Sequence, residues 1–293
     1  MHYFDHSATT PLHLKVKELM DEVGGLHFGN PSSIHASGQK AKTLIETARG
    51  QMAKAIGCNS NEVIFTGGGS EANNLVLWDL IHHEKKHVVT SVIEHPAVLN
   101  VLDSLDEFGV SYTAVAVDKT GMVNPIDVQK AITAETGLIS IMLANNEIGT
   151  IQPIEDIAKI VHQQNAFFHT DAAQAPVTKC IDVVKDDVDL MSLSAHKMYG
   201  PKGIGAFYVR NGLENSIEPL FWGGAQENGL RSGTLPVALC VGFGAAAELL
   251  NEHRDEIMVQ VKNLRDGFYK ELLTLNQNVT LIGPDLSNRH AGN

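Results

Sequence analysis

The chain has 293 residues, 43% of them hydrophobic, which is enough for about two domains and a large buried core. Lys and Arg number 22 against 34 Asp and Glu, and the formal net charge of −12 disfavours nucleic acid as a partner, because an acidic surface repels phosphate backbones. No apolar run approaches the roughly 20 residues that cross a bilayer, which disfavours a membrane protein.

The start of the chain and its cysteines predict a cytoplasmic protein. Residues 1–5 (MHYFD) have neither the basic nor the apolar region of a signal peptide. Cys58, Cys180 and Cys240 are odd in number and far apart, which argues against a disulfide framework or a CxxC metal site and fits a reducing compartment. The histidines also lack metal-ligand spacing.

Short apolar runs alternate with helical patterns along most of the chain. The strand candidates, each bounded by turn residues, are 62–66, 87–91, 111–117, 137–143, 166–171, 188–193, 204–209 and a last one at 279–282. The helical patterns are 36–56, 71–83, 96–108, 125–133, 154–163, 236–253 and 255–275. This alternation predicts an α/β domain with a mainly parallel sheet that is covered by helices on both faces.

The segment 66–73 (TGGGSEAN) is a glycine-rich turn between a predicted strand and a predicted helix. Glycines let backbone N–H groups approach an anion, and the dipole at a helix N-terminus favours negative charge, so the segment is a candidate phosphate site. It matches neither GxxxxGK[ST] nor GxGxxG, which disfavours a P-loop or dinucleotide site. Ser70 and Asn73 equally fit an ordinary helix cap.

His95 follows the predicted strand 87–91. A histidine at a strand end can stack on an aromatic cofactor and move a proton near neutral pH. The chain has 14 histidines, so a surface or core histidine is the alternative interpretation.

Asp171 and Lys197 each follow an apolar strand candidate. Ligands gather at the carboxyl ends of strands in open α/β sheets, and a lysine there can have its pKa lowered enough to act as a nucleophilic amine. A nearby carboxylate can hold the protonated ring nitrogen of pyridoxal phosphate while the lysine forms its Schiff base. A helix-capping Asp and a solvated loop lysine are the alternatives.

These segments together resemble the cysteine desulfurases, which are pyridoxal-phosphate enzymes of fold type I in the class V aminotransferase group. The resemblance covers the whole chain in order. The motifs that carry it are FDHSATTP at 4–11, FGNPSSIH at 28–35, TGGGSEANN at 66–74, EH at 94–95, ANNEIG at 144–149, DAAQ at 171–174, SAHKMYGPKG at 194–203, GGAQE at 223–227 and RSGT at 231–234.

The resemblance implies a fold-type I large domain over 15–252, with a mainly parallel, mixed seven-stranded sheet between helices. It also implies that residues 1–14 associate with a small α+β domain, and that residues 253–293 are the start of that domain, so that the chain is expected to be truncated. The cofactor it implies is pyridoxal 5′-phosphate.

The resemblance further implies roles for individual residues. Lys197 would form the Schiff base and later move protons, and His95 would stack on the ring and assist proton transfer. The other contacts would be Asp171 to the pyridine nitrogen, Gln174 to the phenolic oxygen, Asn146 beside the ring, Gly69, Ser70, Ser194 and His196 to the phosphate, and Thr234 to the phosphate of a neighbouring subunit's cofactor. The last contact implies a homodimer.

The implied reaction converts L-cysteine to L-alanine and passes the sulfur to a protein cysteine, and from there to an iron–sulfur scaffold or another acceptor protein. In the family that cysteine lies in a C-terminal loop, near an arginine that clamps the substrate carboxylate. This sequence shows neither, and none of its three cysteines matches the loop motif. The alternatives are a selenocysteine lyase, transamination or β-elimination, and a non-catalytic cofactor-binding or dimerisation scaffold.

Overall fold

The computed structural model describes residues 2–177 and 179–293. The elements in chain order are α1 (Leu14–Leu26), α2 (Ala36–Ile56), β1 (Val63–Thr66), α3 (Gly69–Asp79), β2 (His87–Ser91), α4 (Pro96–Leu105), β3 (Ser111–Val115), α5 (Pro125–Ala131), β4 (Thr136–Ser140), α6 (Ile154–His162), β5 (Phe167–Asp171), β6 (Leu190–Ser194), β7 (Gly205–Val209) and α7 (Val237–Leu275).

The seven strands form one sheet in the order β1-β7-β6-β5-β4-β2-β3. Strands β2 to β6 pair in parallel, whereas β7 is antiparallel to both of its neighbours, β1 and β6. Because β7 is antiparallel to both β6 and β1, β1 runs in the same direction as β6. The predicted fold class, a mainly parallel mixed sheet between helices, is confirmed.

Except at the edge strand β3, the sheet is buried on both faces, which explains why most of its strands are nearly continuous apolar runs. Side chains alternate between two clusters, so Ile64 and Val88 pack on one face while Phe65 and Val89 pack on the other. The first face is covered by α3 and α4, and the second by α2, α5, α6 and α7.

Three elements differ from the sequence predictions. The two helices expected at 236–253 and 255–275 form the single 39-residue α7, because neither glycine nor proline interrupts them at the expected break. The sequence does not predict helix α1, since the helix buries only Val16 and Val23 and has two glycines in its last turn, before Leu26. The strand at 279–282 is wrong: these residues have no strand partner within the described chain, and the side chain of Ile282 is 72% exposed.

The directions of the strands determine where polar loops meet. The carboxyl ends of β1, β2, β4, β5 and β6 lie at one edge of the sheet, and the segments that follow them carry most of the predicted site residues. Within the described part of the chain, no helix combines the length and the apolar character needed to cross a bilayer.

Candidate active site

A cavity of about 620 Å³ opens at this edge of the sheet. Nine of the ten predicted site residues line it: Gly69, Ser70, His95, Asn146, Asp171, Gln174, Ser194, His196 and Lys197. Thr234 does not, and lies exposed in the loop before α7. The structure therefore brings the predicted residues of one chain together, and the role of Thr234 toward a neighbouring subunit stays a prediction.

Asp171 ends β5 at the cavity and is only 6% exposed. Its Oδ1 accepts the backbone N–H of Ala173 at 2.9 Å, and its Oδ2 accepts the side-chain amide of Asn73 at 2.7 Å. Asn73 does not cap the helix, because it lies inside α3, whose N-cap is Gly68. The two bonds fix the plane of a carboxylate that can still accept a ring N–H from the cavity.

Lys197 lies in a short 3₁₀ turn directly after β6 and is half-buried. Burial lowers the pKa of Lys197, against the opposing charges of Asp171, Asp5 and Glu147. A lowered pKa increases the fraction of neutral amine, which is the nucleophilic form. The Nζ of Lys197 donates to the backbone carbonyl of Ser7, which holds the amine at the cavity wall.

The glycine-rich turn between β1 and α3 lines the cavity. Gly68 has φ 154°, a backbone conformation that other residues rarely adopt, and a Cβ on Gly69 would contact the Cβ of Ser194 at 3.4 Å. The first N–H groups of α3, together with the hydroxyls of Ser70 and Ser194, therefore surround a space that suits a phosphate.

His196 lies beside the same space. Its Nδ1 is 3.1 Å from the hydroxyl of Thr9, and its backbone carbonyl accepts the hydroxyl of Thr10 at 2.9 Å. Burial lowers the pKa of His196, and the charges of Lys197 and Lys202 lower it further, so the ring is neutral at neutral pH. A neutral ring that is oriented by Thr9 can donate one hydrogen bond to an anion.

His95 is the N-cap of α4, and its Nδ1 accepts the N–H of Ala97 at 3.0 Å. In a neutral ring this bond assigns the proton to Nε2. The side chain is exposed and borders the cavity, as expected for a residue that stacks on a flat ligand. This arrangement makes the ring a hydrogen-bond donor toward the cavity when it is neutral.

Gln174 and the N-terminal segment meet across the cavity from the glycine-rich turn. The Nε2 of Gln174 donates to the carbonyl of Ser7 at 2.7 Å, and the backbone carbonyl of Gln174 is 2.8 Å from Nε2 of His290. The sequence does not predict these contacts of Ser7, Thr9 and Thr10, although their motif FDHSATTP contributes to the family resemblance. Nothing in the local pattern of that motif indicates a partner nearly 190 residues away.

None of the three cysteines lines this cavity. Burial raises the pKa of Cys58 and of Cys240 to about 12, so these thiols are protonated at neutral pH. Cys180 is exposed at the surface. Since the thiolate is the nucleophile in sulfur chemistry, the environments of Cys58 and Cys240 do not favour reaction.

The residues of the cavity fit pyridoxal 5′-phosphate. They include an amine with a lowered pKa, a buried carboxylate that can face a ring nitrogen, and a glycine cradle with hydroxyls at a helix start. A histidine that borders the cavity provides a surface for stacking. Each of these groups matches a different part of the cofactor, namely its aldehyde, ring nitrogen, phosphate and ring face.

The chain is similar to known proteins along nearly its whole length. A family model described as aminotransferase class-V matches residues 2–292. The cysteine desulfurase IscS of Dictyoglomus turgidum is 46% identical over 294 residues, which cover 99% of this chain and 74% of the relative. The cysteine desulfurase IscS of Rickettsia prowazekii is 41% identical, with 99% and 72% of the two chains covered.

Two solved structures are similar in both sequence and fold. A NifS-like protein superposes with a TM-score of 0.94 at 37% identity, covering 99% of this chain and 79% of the other. The protein SspA in complex with cysteine superposes with a TM-score of 0.82 at 43% identity, covering 85% and 72%. This chain thus spans about three quarters of the length of these relatives.

Proposed function

Because the chain belongs to the class-V aminotransferase family, whose cofactor is pyridoxal 5′-phosphate, we propose that it acts as a cysteine desulfurase on L-cysteine. The observation that carries the proposal is the placement of Lys197, with its lowered pKa, in one cavity with the buried Asp171. Relatives named cysteine desulfurase, and a similar structure described as a complex with cysteine, support the choice of substrate.

Different residues of the cavity would hold different parts of the cofactor. Lys197 would bind its aldehyde carbon, Asp171 its ring nitrogen and Gln174 its phenolic oxygen. His95 would stack on the ring with Asn146 beside it. The phosphate would be held by Gly69, Ser70, Ser194 and His196. When bound, the cofactor supplies an electron sink that lets the Cα proton of an amino acid leave.

Lys197 is the residue suited to move that proton. Its neutral Nζ can accept a proton once it is free of the carbonyl of Ser7, and the nearby carboxylates stabilise the ammonium that results. When its ring is neutral, His95 has its proton on Nε2 and can donate a hydrogen bond from that atom, while its Nδ1 is occupied by the N–H of Ala97. Asp171 and the end of β5 are buried, so water has little access to this carboxylate from the protein side.

Sulfur transfer requires a thiolate that reaches the cavity. Cys58, Cys180 and Cys240 do not line it, so we expect the acceptor cysteine to come from outside these three residues. The onward acceptor is proposed to be an iron–sulfur scaffold or another sulfur-carrying protein. Because none of these three thiols suits sulfur transfer, two other functions are also considered. These are a different pyridoxal-phosphate reaction and a non-catalytic cofactor-binding scaffold.

We further propose that the protein works as a homodimer in the cytoplasm. Phe28, Ile34 and Trp222 are large apolar side chains that are 85%, 94% and 79% exposed, and Phe28 lines the same surface cavity as Thr234. Exposed apolar groups around a loop that is expected to reach a neighbouring site favour an interface between copies.

The first test is the visible absorption spectrum of the protein with pyridoxal phosphate. The parent is expected to show the band of a lysine-bound cofactor, and Lys197→Ala is expected to lose it. Exposed Lys119→Ala is the matched control and should keep the band. An unchanged band in Lys197→Ala would refute the assignment of the lysine.

Addition of L-cysteine separates the three candidate functions. For a desulfurase the band is expected to shift on mixing, and alanine should form in step with sulfur transfer once an acceptor thiol is supplied. A band that is indifferent to L-cysteine favours the scaffold, and elimination to pyruvate instead of alanine favours another pyridoxal-phosphate reaction.

A further inference from the structure

Asn73 contacts the site but has no role in the reaction proposed above. It lies in the second turn of α3 and is 1% exposed, and its Nδ2 donates to Asp171 Oδ2 at 2.7 Å. The other end of the same amide, Oδ1, is buried and has no hydrogen-bond partner among the described residues.

The side-chain amide of Asn73 keeps an orientation that leaves its Oδ1 without a hydrogen bond within the described part of the chain. A buried oxygen without a partner is unfavourable, and most buried polar atoms avoid that state. Turning the amide over would place its oxygen against the carboxylate of Asp171, where two acceptors repel each other. An apolar side chain of similar size would avoid the unpaired oxygen, so the cost of keeping an amide here points to its contact with Asp171.

The contact is specific in its geometry. Among the described residues, Asp171 receives one side-chain donor, from Asn73, and one backbone donor, from Ala173. Each carboxylate oxygen has two lone pairs, so each keeps one that can face the cavity. The two donors approach different oxygens, and together they prevent the carboxylate from rotating about its Cβ–Cγ bond.

We propose that Asn73 is a positioning residue, whose amide orients the Asp171 carboxylate and stabilises its charge so that the proton between Asp171 and the cofactor stays on the ring nitrogen. A carboxylate that accepts an N–H bond holds a shared proton less strongly, which leaves that proton with the nitrogen. The inference rests on the proposed function, because it requires that Asp171 faces the cofactor's ring nitrogen.

The test uses the holoenzyme loaded with pyridoxal phosphate that carries ¹⁵N in its ring, observed by ¹⁵N NMR. The parent is expected to show the resonance of a protonated ring nitrogen. Asn73→Leu keeps the volume and removes the donor, so its resonance should move toward that of unprotonated pyridine at the same pH. Asn73→Ala should move it in the same direction, and serves if the leucine variant does not fold.

The matched control is Asn74→Leu, one position along the same helix, where the amide donates to the carbonyl of Ser70 instead of Asp171. Its ring-nitrogen resonance is expected to equal that of the parent. If the Asn73 variants bind cofactor and keep the parent resonance, the positioning role is wrong while the proposed function stands. If the parent itself shows an unprotonated nitrogen, the positioning role is wrong, and if the parent binds no cofactor, the proposed function is wrong as well.

Discussion

At the scale of single residues, Glu94 is the buried carboxyl beside the exposed His95. It is 5% exposed, and its oxygens accept the hydroxyl of Ser91 at 2.5 Å and the N–H of Met142 at 3.0 Å. Burial raises the pKa of Glu94 to about 8, more than the two hydrogen bonds lower it. Glu94 thus ties the end of β2 to the segment after β4 largely as a neutral acid.

This shift predicts how stability depends on pH. Between a pKa of 4.5 in the unfolded chain and about 8 in the folded protein, the folded state binds more protons, so stability falls as the pH rises through this window. In the parent, the free energy of unfolding is expected to decrease between about pH 5 and about pH 9. In Glu94→Gln this decrease should be smaller by at least about 1.4 kcal/mol, the equivalent of one pKa unit. Urea unfolding at both pH values measures it.

The exposed Glu135→Gln is the control for that measurement and should keep the pH dependence of the parent. A Glu94→Gln variant that loses as much stability as the parent would show that Glu94 is ionised in the folded protein over the whole range.

At the scale of elements, a buried ion pair holds the loop that carries Thr234. Arg49 of α2 contacts both oxygens of Glu227, at 2.6 and 2.7 Å, and Glu227 also accepts the N–H of Phe65 in β1 at 2.6 Å. Near this pair the loop adopts left-handed backbone at Ala225, with φ 54°.

Glu227→Gln is expected to lower the free energy of unfolding by about 3 kcal/mol, because it leaves the Arg49 guanidinium buried with only the half-exposed Glu46 as a counter-charge. The control Asp21→Asn breaks an exposed pair with Lys17 and should cost less than about 1 kcal/mol. Chemical denaturation measures both, and equal losses in the two variants would contradict the importance of the buried pair.

The same scale shows what the sequence could and could not predict. The sequence predicts all seven strands because most are buried on both faces and form short apolar runs between turn residues, as in residues 87–91, while the edge strand β3 is only partly buried. The sequence does not predict helix α1, because only two of its side chains are buried and its apolar pattern is therefore weak. The cavity residues were found from motifs, but the bond from Asn73 to Asp171 and that from Thr9 to His196 join distant parts of the chain. Such contacts depend on strand order, which local patterns do not encode.

At the scale of the whole molecule, the exposed apolar surface around Phe28, Ile34 and Trp222 predicts a dimer. Ile34→Asp is expected to convert it to a monomer in light scattering. If the partner's Thr234 loop reaches the cofactor phosphate as proposed, this variant should also retain pyridoxal phosphate less well on dialysis. Ile126→Asp, on the distant α5, is the control and should leave the dimer intact. A dimer that persists in Ile34→Asp would place the interface elsewhere.

The pairing of β1 with β7 also has a consequence for how the chain is made. Thr66 lies beside Gly205, and β1 pairs with β7 alone. During synthesis at roughly 5–20 residues per second, β1 therefore waits about 7–28 s before the ribosome delivers its neighbour. During that interval the glycine-rich turn lacks the β7 residues that lie against it in the folded protein. The unpaired N–H and C=O groups of β1 can meanwhile pair with another chain. The cofactor site, which residues 202–204 directly before β7 also line, therefore cannot be complete until that part of the chain has been made.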